Sequence, residues 1–131
     1  MKKKIILSSA FIVSLLPMLL KQYGGAKGVQ EISGLGNLLN PIGIISVLLF
    51  IMGVWISFKN STINRVLSIT GVIGIVVSEI YQFLTWHILT ITGEMSIQKS
   101  FNLAFPEFYI GLVISLIMVI AYFVIDKLVK E

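Results

Sequence analysis

The sequence predicts an all-α integral membrane protein, a single bundle of four transmembrane helices with both the N- and C-termini in the cytoplasm. Three observations lead there. Hydrophobic residues make up 56% of the 131 and charged residues only 12%, with a mean hydropathy of +0.98, whereas soluble domains average about 45–50% apolar and about 25% charged. That leaves too few polar side chains to cover a soluble exterior. The apolar residues gather into four blocks, at about 5–20, 41–58, 66–91 and 108–125, and the basic residues fall unevenly on the segments between them.

A helix needs roughly 20 predominantly apolar residues to cross the hydrocarbon core, with a range of about 17–25. The second and fourth blocks fit directly. The first is slightly short, and Lys4 and Lys21 at its ends can snorkel toward the headgroups. Pro17 should kink that helix or stop it early. Lys2, Lys3 and Lys4 before an apolar run, with Gly24 and Ala26 after it, also match the layout of a cleavable signal peptide; a permanent span is the preferred reading. The third block is longer than needed and should tilt or project. Helix starts are marked by Asn40 before Pro41, by Ser61 or Thr62, and by Pro106 with Glu107, which combine capping side chains, proline at the first helical position and an acid at the positive end of the dipole.

Orientation follows from the basic residues. With the N-terminus inside, Lys2, Lys3, Lys4, Lys59, Arg65, Lys127 and Lys130 lie on the inner side, against Lys21, Lys27 and Lys99 outside. The outer loops are then 21–40 and 92–107. The first is rich in glycine and ends in an apolar stretch, residues 35–39, expected to rest against the membrane. The second spaces Ile97, Phe101, Leu103 and Phe105 among polar residues, which fits either a short amphipathic helix on the interface or a loop tucking its aromatics into the bundle.

Glu79 is the only acid well inside an apolar block. At about 100° per residue, Gly71, Gly74, Ser78, Glu79, Gln82, Thr85, Trp86 and Thr90 share one arc, and Ile69, Ile73, Val76, Val77, Ile80, Leu84 and Ile88 lie opposite. Small and hydroxyl residues let membrane helices approach closely, so this arc should face the bundle or a partner. Gly53 and Ser57 in the second span, and Gly111 and Ser115 in the fourth, repeat the spacing of small residues and are the expected mates for helix packing. An ionised carboxylate in the bilayer costs about 2.5–3.5 kcal/mol on insertion scales, so Glu79 must be protonated, paired or open to water. Two readings remain: a vestibule open to the outside that ends at Glu79 and Gln82, or an acid hydrogen-bonded to a neighbouring helix that fixes its register. Glu79, Gln82, Ser78 and Trp86 are therefore the candidate ligand, proton or partner-binding residues. His87 stands eight residues on, about 12 Å of rise and 80° of rotation from Glu79, too far for a relay within one helix.

No cysteine is present, and no nucleophile elbow, phosphate-cradling glycine motif or metal-ligand cluster occurs. No enzymatic activity, catalytic residue, metal or cofactor is expected. The net charge of +4 reflects membrane topology rather than a nucleic-acid patch, and no nucleic-acid partner is expected. The expected partners are membrane lipids and either another membrane protein or further copies of the chain. The location is a cell membrane, in all expectation a bacterial plasma membrane, crossed several times. Two functional classes fit: an accessory, regulatory or immunity-type binding protein recognising a partner in the outer half of the membrane, or an oligomeric channel or proton- or cation-coupled transporter subunit that uses Glu79. The chain carries no motif that identifies a known four-span family.

Overall fold

A computed structural model describes residues 2–23, 32–87, 101 and 104–129, with the side chains of residues 32, 86 and 87 outside that description. The described residues are mostly helical. Helix α1 spans Lys2–Leu15 and tightens into a 3₁₀ turn over Leu16–Leu19, because Pro17 has no N–H to give and its ring clashes with the preceding turn. Two short strands follow, β1 (Lys21–Tyr23) and β2 (Ile32–Ser33), paired antiparallel, and then the five-residue helix α2 (Leu35–Leu39). Helices α3 (Pro41–Trp55), α4 (Ser61–His87) and α5 (Pro106–Leu128) complete the described chain.

The starts of these helices follow local chemistry. The Asn40 side chain accepts from Gly43 N at 2.8 Å, with Pro41 at the first helical position. Asn60, rather than Ser61 or Thr62, caps α4: its Oδ1 accepts from Thr62 N at 2.9 Å. Phe105 precedes α5 with no side-chain cap, and Pro106 and Glu107 fill the first turn. Asn64 closes the turn between α3 and α4 by donating to the carbonyls of Gly53 (2.8 Å) and Ile56 (2.5 Å). These are among the last carbonyls of α3, which have no partner within the helix.

Helices α3 and α4 share the most extensive interface, and α5 packs on α1 and α4. Lys3 and Arg65 both reach Asp126, at 2.7 and 3.2 Å, so the start of α1, the start of α4 and the end of α5 meet at what is here termed the terminal end. At the opposite, distal end residues 21–23 and 32–40 fold over the helices: Gly34 N donates to Leu20 O, Phe105 N donates to Gln22 O, and Tyr23 pairs with Ala104. Phe11 stacks on Phe50 with centroids 4.0 Å apart in one apolar cluster, and Phe83 on Phe108 at 4.8 Å in a second, more distal one.

Ile12, Val13, Ile45, Leu48, Ile117 and Ile120 are exposed, while Ser14, Gln22, Asn37, Ser46, Ser68, Ser78, Glu79 and Ser115 are buried. An apolar exterior of that extent marks contact with membrane or protein. Among the described residues, two helices are long and apolar enough to cross a membrane: Ser61–Thr85 within α4, and Pro106–Leu128. Pro41–Trp55 is apolar but shorter, about 22 Å of helix at 1.5 Å per residue. The spans expected at 5–20 and 41–58 thus contain α-helices ending at Leu15 and Trp55, the first because of Pro17 and the second because Asn64 binds the carbonyls at its end. Of the 21–40 loop, residues 24–31 lie outside the described residues, and the 35–39 stretch is a helix that buries Asn37 while exposing Leu35 and Leu39. The expected interfacial helix of the 92–107 loop lies outside the described residues, apart from Phe101 and residues 104–107.

Candidate functional site

Helix α4 sorts its residues by side. Ser68, Gly71, Val72, Ile75, Ser78, Glu79 and Phe83 are buried, whereas Ile73, Val77, Ile80 and Tyr81 are exposed. Glu79 retains only 2% of its accessible surface. Ser115 of α5 donates its hydroxyl to Glu79 Oε1 at 2.6 Å, and the buried Oε2 has no hydrogen-bond partner among the described residues. A buried acceptor left without a donor costs free energy comparable to a lost hydrogen bond. Among the described residues Glu79 is buried and the segment 32–40 lies against Gln82 and Ser78, so no open vestibule reaches Glu79 through them.

That segment and residues 21–23 are bound by their own polar side chains. Tyr23 donates its phenol to Asn37 Oδ1, Asn37 Nδ2 donates to Gln22 Oε1 at 2.7 Å, and Gln22 Nε2 donates to Pro17 O at 2.8 Å. Tyr23, Gln22 and Asn37 are all essentially fully buried. Burial pushes the Tyr23 phenol well above its usual range; the bond to Asn37 works against this and the nearby Glu79 charge adds to it. Asn40 Nδ2 reaches Ser78 O at 3.2 Å, tying the start of α3 to α4 beside Glu79. Gln82 is half-buried, and its amide lies against Gly36: a Cβ there would stand 2.7 Å from Gln82 Nε2. The Trp86 side chain lies outside the described residues. Among the described residues no three metal-ligating side chains converge.

The small residues part company. A Cβ on Gly71 would stand 2.6 Å from Ser46 O and 2.7 Å from Phe50 N; one on Gly74 would overlap Ser46 Oγ; one on Gly53 would stand 2.5 Å from Ser68 N and 2.7 Å from Asn64 O. These three glycines set the α3–α4 seam. Gly111 instead packs on Pro17 and Gln22, with a Cβ 3.3 and 3.2 Å from them, so it mates with the end of the first helix and not with α4. Ser115 meets α4 through Glu79 rather than through close backbone approach. Ser57 is not a helix-packing residue: α3 has ended at Trp55, and Ser57 is exposed on the wall of a cavity at the terminal end.

No family model, curated protein or solved structure matches this chain. The site therefore speaks only through its own geometry. Sequence reading missed Gln22, Tyr23 and Asn37. The one signal that pointed to them is an amide, Asn37, set inside an otherwise apolar pentapeptide, where an unpaired side chain would have been costly.

Proposed function

We propose that this chain is a small non-enzymatic protein of the cell membrane, crossing it four times with both termini inside, and that its distal face is the outer one and recognises a partner in the outer half of the membrane. An accessory, regulatory or immunity-type role, such as guarding the membrane against a pore-forming peptide, fits that description. The supporting observation is the buried chain of hydrogen bonds from Tyr23 through Asn37 and Gln22 to Pro17. It fixes residues 21–23 and 35–39 on the helices and leaves Leu35 and Leu39 exposed on a preorganised surface, and preorganisation spares a binding surface the cost of ordering on contact. The two short helices, α1 and α3, cross by local thinning of the bilayer and by snorkelling lysines.

A photoactivatable residue at Leu39 in the full-length chain tests this. A discrete crosslinked partner, absent when the same residue replaces the exposed Ile120, is the expected result. Crosslinks to lipid alone from both positions, with no change in sensitivity to membrane-active peptides on deleting the protein, would overturn it.

A second reading, a channel or proton- or cation-coupled transporter subunit, has one observation in its favour: the unpartnered Glu79 Oε2. It is the weaker reading because Glu79 faces Ser115 of its own chain, whereas a pore between copies needs the carboxyl on the outer surface. Proton flux in liposomes that is abolished by Glu79→Ala would reverse this ranking.

A further inference from the structure

A cavity of about 310 Å³ opens at the terminal end, far from Glu79. Three cations line it, Lys3, Lys4 and Arg65, against one carboxylate, Asp126, a net formal charge of +2 among the described lining residues. The buried Leu7 and Val54 give it an apolar wall, and the exposed Ser57 and Ser61 bring hydroxyl donors to it, while Asn64 on the same wall already gives both amide N–H groups to Gly53 O and Ile56 O. Ser61 is also the first residue of α4, so the positive end of that helix dipole lies at the cavity.

Asp126 consumes only part of the positive charge. Lys3 binds its Oδ1 at 2.7 Å, and Arg65 gives its Oδ2 the Nε–H at 3.2 Å. A guanidinium carries five N–H bonds in a planar fork, so among the described residues the four on the terminal nitrogens of Arg65 remain for a second anion; the side chain is 63% exposed. Lys4 lies 5.9 Å over the Trp55 ring, an arrangement that holds an ammonium near the level of an interfacial aromatic. Scattered lysines at the ends of spans are ordinary topology signals. Convergence of three cations, an arginine fork and hydroxyl donors on one cavity with an apolar wall is a different matter: a phosphate monoanion takes fork and point charge together.

We propose that this cavity binds a phosphate-bearing anion, supplied either by an anionic phospholipid headgroup whose chains run along Leu7 and Val54 or by a soluble phosphate compound. Asp126 positions Lys3 and Arg65, and Arg65 and Lys4 contact the phosphate oxygens. The proposal rests on the membrane reading only for the lipid as source, and it does not depend on any protein partner.

The test uses the full-length protein in detergent micelles and native mass spectrometry, with phosphatidylglycerol, phosphatidylcholine and inorganic phosphate as separate probes. Phosphatidylglycerol should be retained about tenfold over phosphatidylcholine, and Lys4→Gln with Arg65→Gln should abolish that preference, since a lost charge-assisted contact is worth roughly a factor of ten. Arg65→Lys, which keeps the charge and loses the fork, should fall between. Lys59→Gln, at the same end but off the cavity wall, should change nothing. Displacement of the lipid by inorganic phosphate identifies the phosphate group as the feature read; retention without displacement identifies the lipid as source; phosphate binding without lipid preference identifies a soluble source. Equal retention of both lipids with no bound phosphate, or a preference that survives in the Lys4 and Arg65 variants, overturns the proposal. Failure of the Leu39 crosslink alongside a positive result here would remove only the partner reading.

Discussion

Substituting Gly71 by alanine strikes the seam between α3 and α4 where the backbone of α3 lies directly against it. The new Cβ would stand 2.6 Å from Ser46 O, 2.7 Å from Phe50 N and 2.8 Å from Phe50 Cβ, against 3.4 Å where ordinary contact begins. Two of the three atoms are backbone and cannot swing aside, so the helices must part by about 0.7–0.8 Å. Overpacking of this kind costs about 1–3 kcal/mol. A gap of 0.5–1 Å also forfeits roughly a quarter to a half of the dispersion well of each neighbouring contact, including Gly53 on Ser68 and Gly74 on Ser46. The expected loss is therefore in the upper part of that range, about 2–3 kcal/mol, or roughly 30-fold or more in the unfolding equilibrium. Reversible unfolding of the full-length chain by dodecyl sulfate in mixed micelles, followed by far-ultraviolet circular dichroism, measures it. Ile73→Ala, on the exposed side of the same helix, is the control and should stay within about 0.5 kcal/mol. A Gly71→Ala protein as stable as that control would refute the close-packed seam.

Four further substitutions probe the polar interior by the same assay. Ser115→Ala removes the one donor to Glu79 among the described residues and should cost about 1–3 kcal/mol, the penalty of a stranded buried acceptor; Ser14→Ala, which loses only a bond to its own helix at Phe11 O, should cost under about 0.5 kcal/mol. Asn40→Ala loses the α3 cap and the link to Ser78 O together and should cost about 1–2 kcal/mol. Tyr23 carries a pH signature. Its folded phenol titrates above the unfolded value of about 10, so its contribution is intact below pH 10 and lost as pH rises past it, by at most about 1.4 kcal/mol per pH unit. Tyr23→Phe should remove that alkaline slope while lowering stability at neutral pH; a slope unchanged in the variant would show that the phenol is not held neutral by burial.

How far the fold could be read from the chain depends on which forces acted locally. Asn40 with Pro41, Pro17 as a helix stop and the inward turn of Gly71 and Glu79 all follow from spacing and capping over a few residues. The α3 end at Trp55 was hidden, because it depends on Asn64 reaching back to Gly53 O and Ile56 O, eight to eleven residues away. Gly111 looked like a mate for α4 by spacing alone, and only the tertiary placement of Pro17 and Gln22 shows that they take its place. Glu79 was legible as a buried acid, but its partner Ser115 is 36 residues distant, and periodicity within one helix carries no information about which neighbour supplies the hydroxyl. The cluster of Gln22, Tyr23 and Asn37 lies in a glycine-rich stretch with no period at all, so nothing short of the tertiary pairing could assemble it.

The chain lacks cysteine, which makes single introduced thiols unambiguous reporters of which residues face which side. Leu39→Cys, Lys59→Cys and Ser78→Cys are treated with a membrane-impermeant maleimide on intact cells and again after permeabilisation. Four crossings around a closed polar interior require label at 39 in intact cells, label at 59 only after permeabilisation, and none at 78 in either. Reaction at 59 from outside, or at 78 without unfolding, would contradict it.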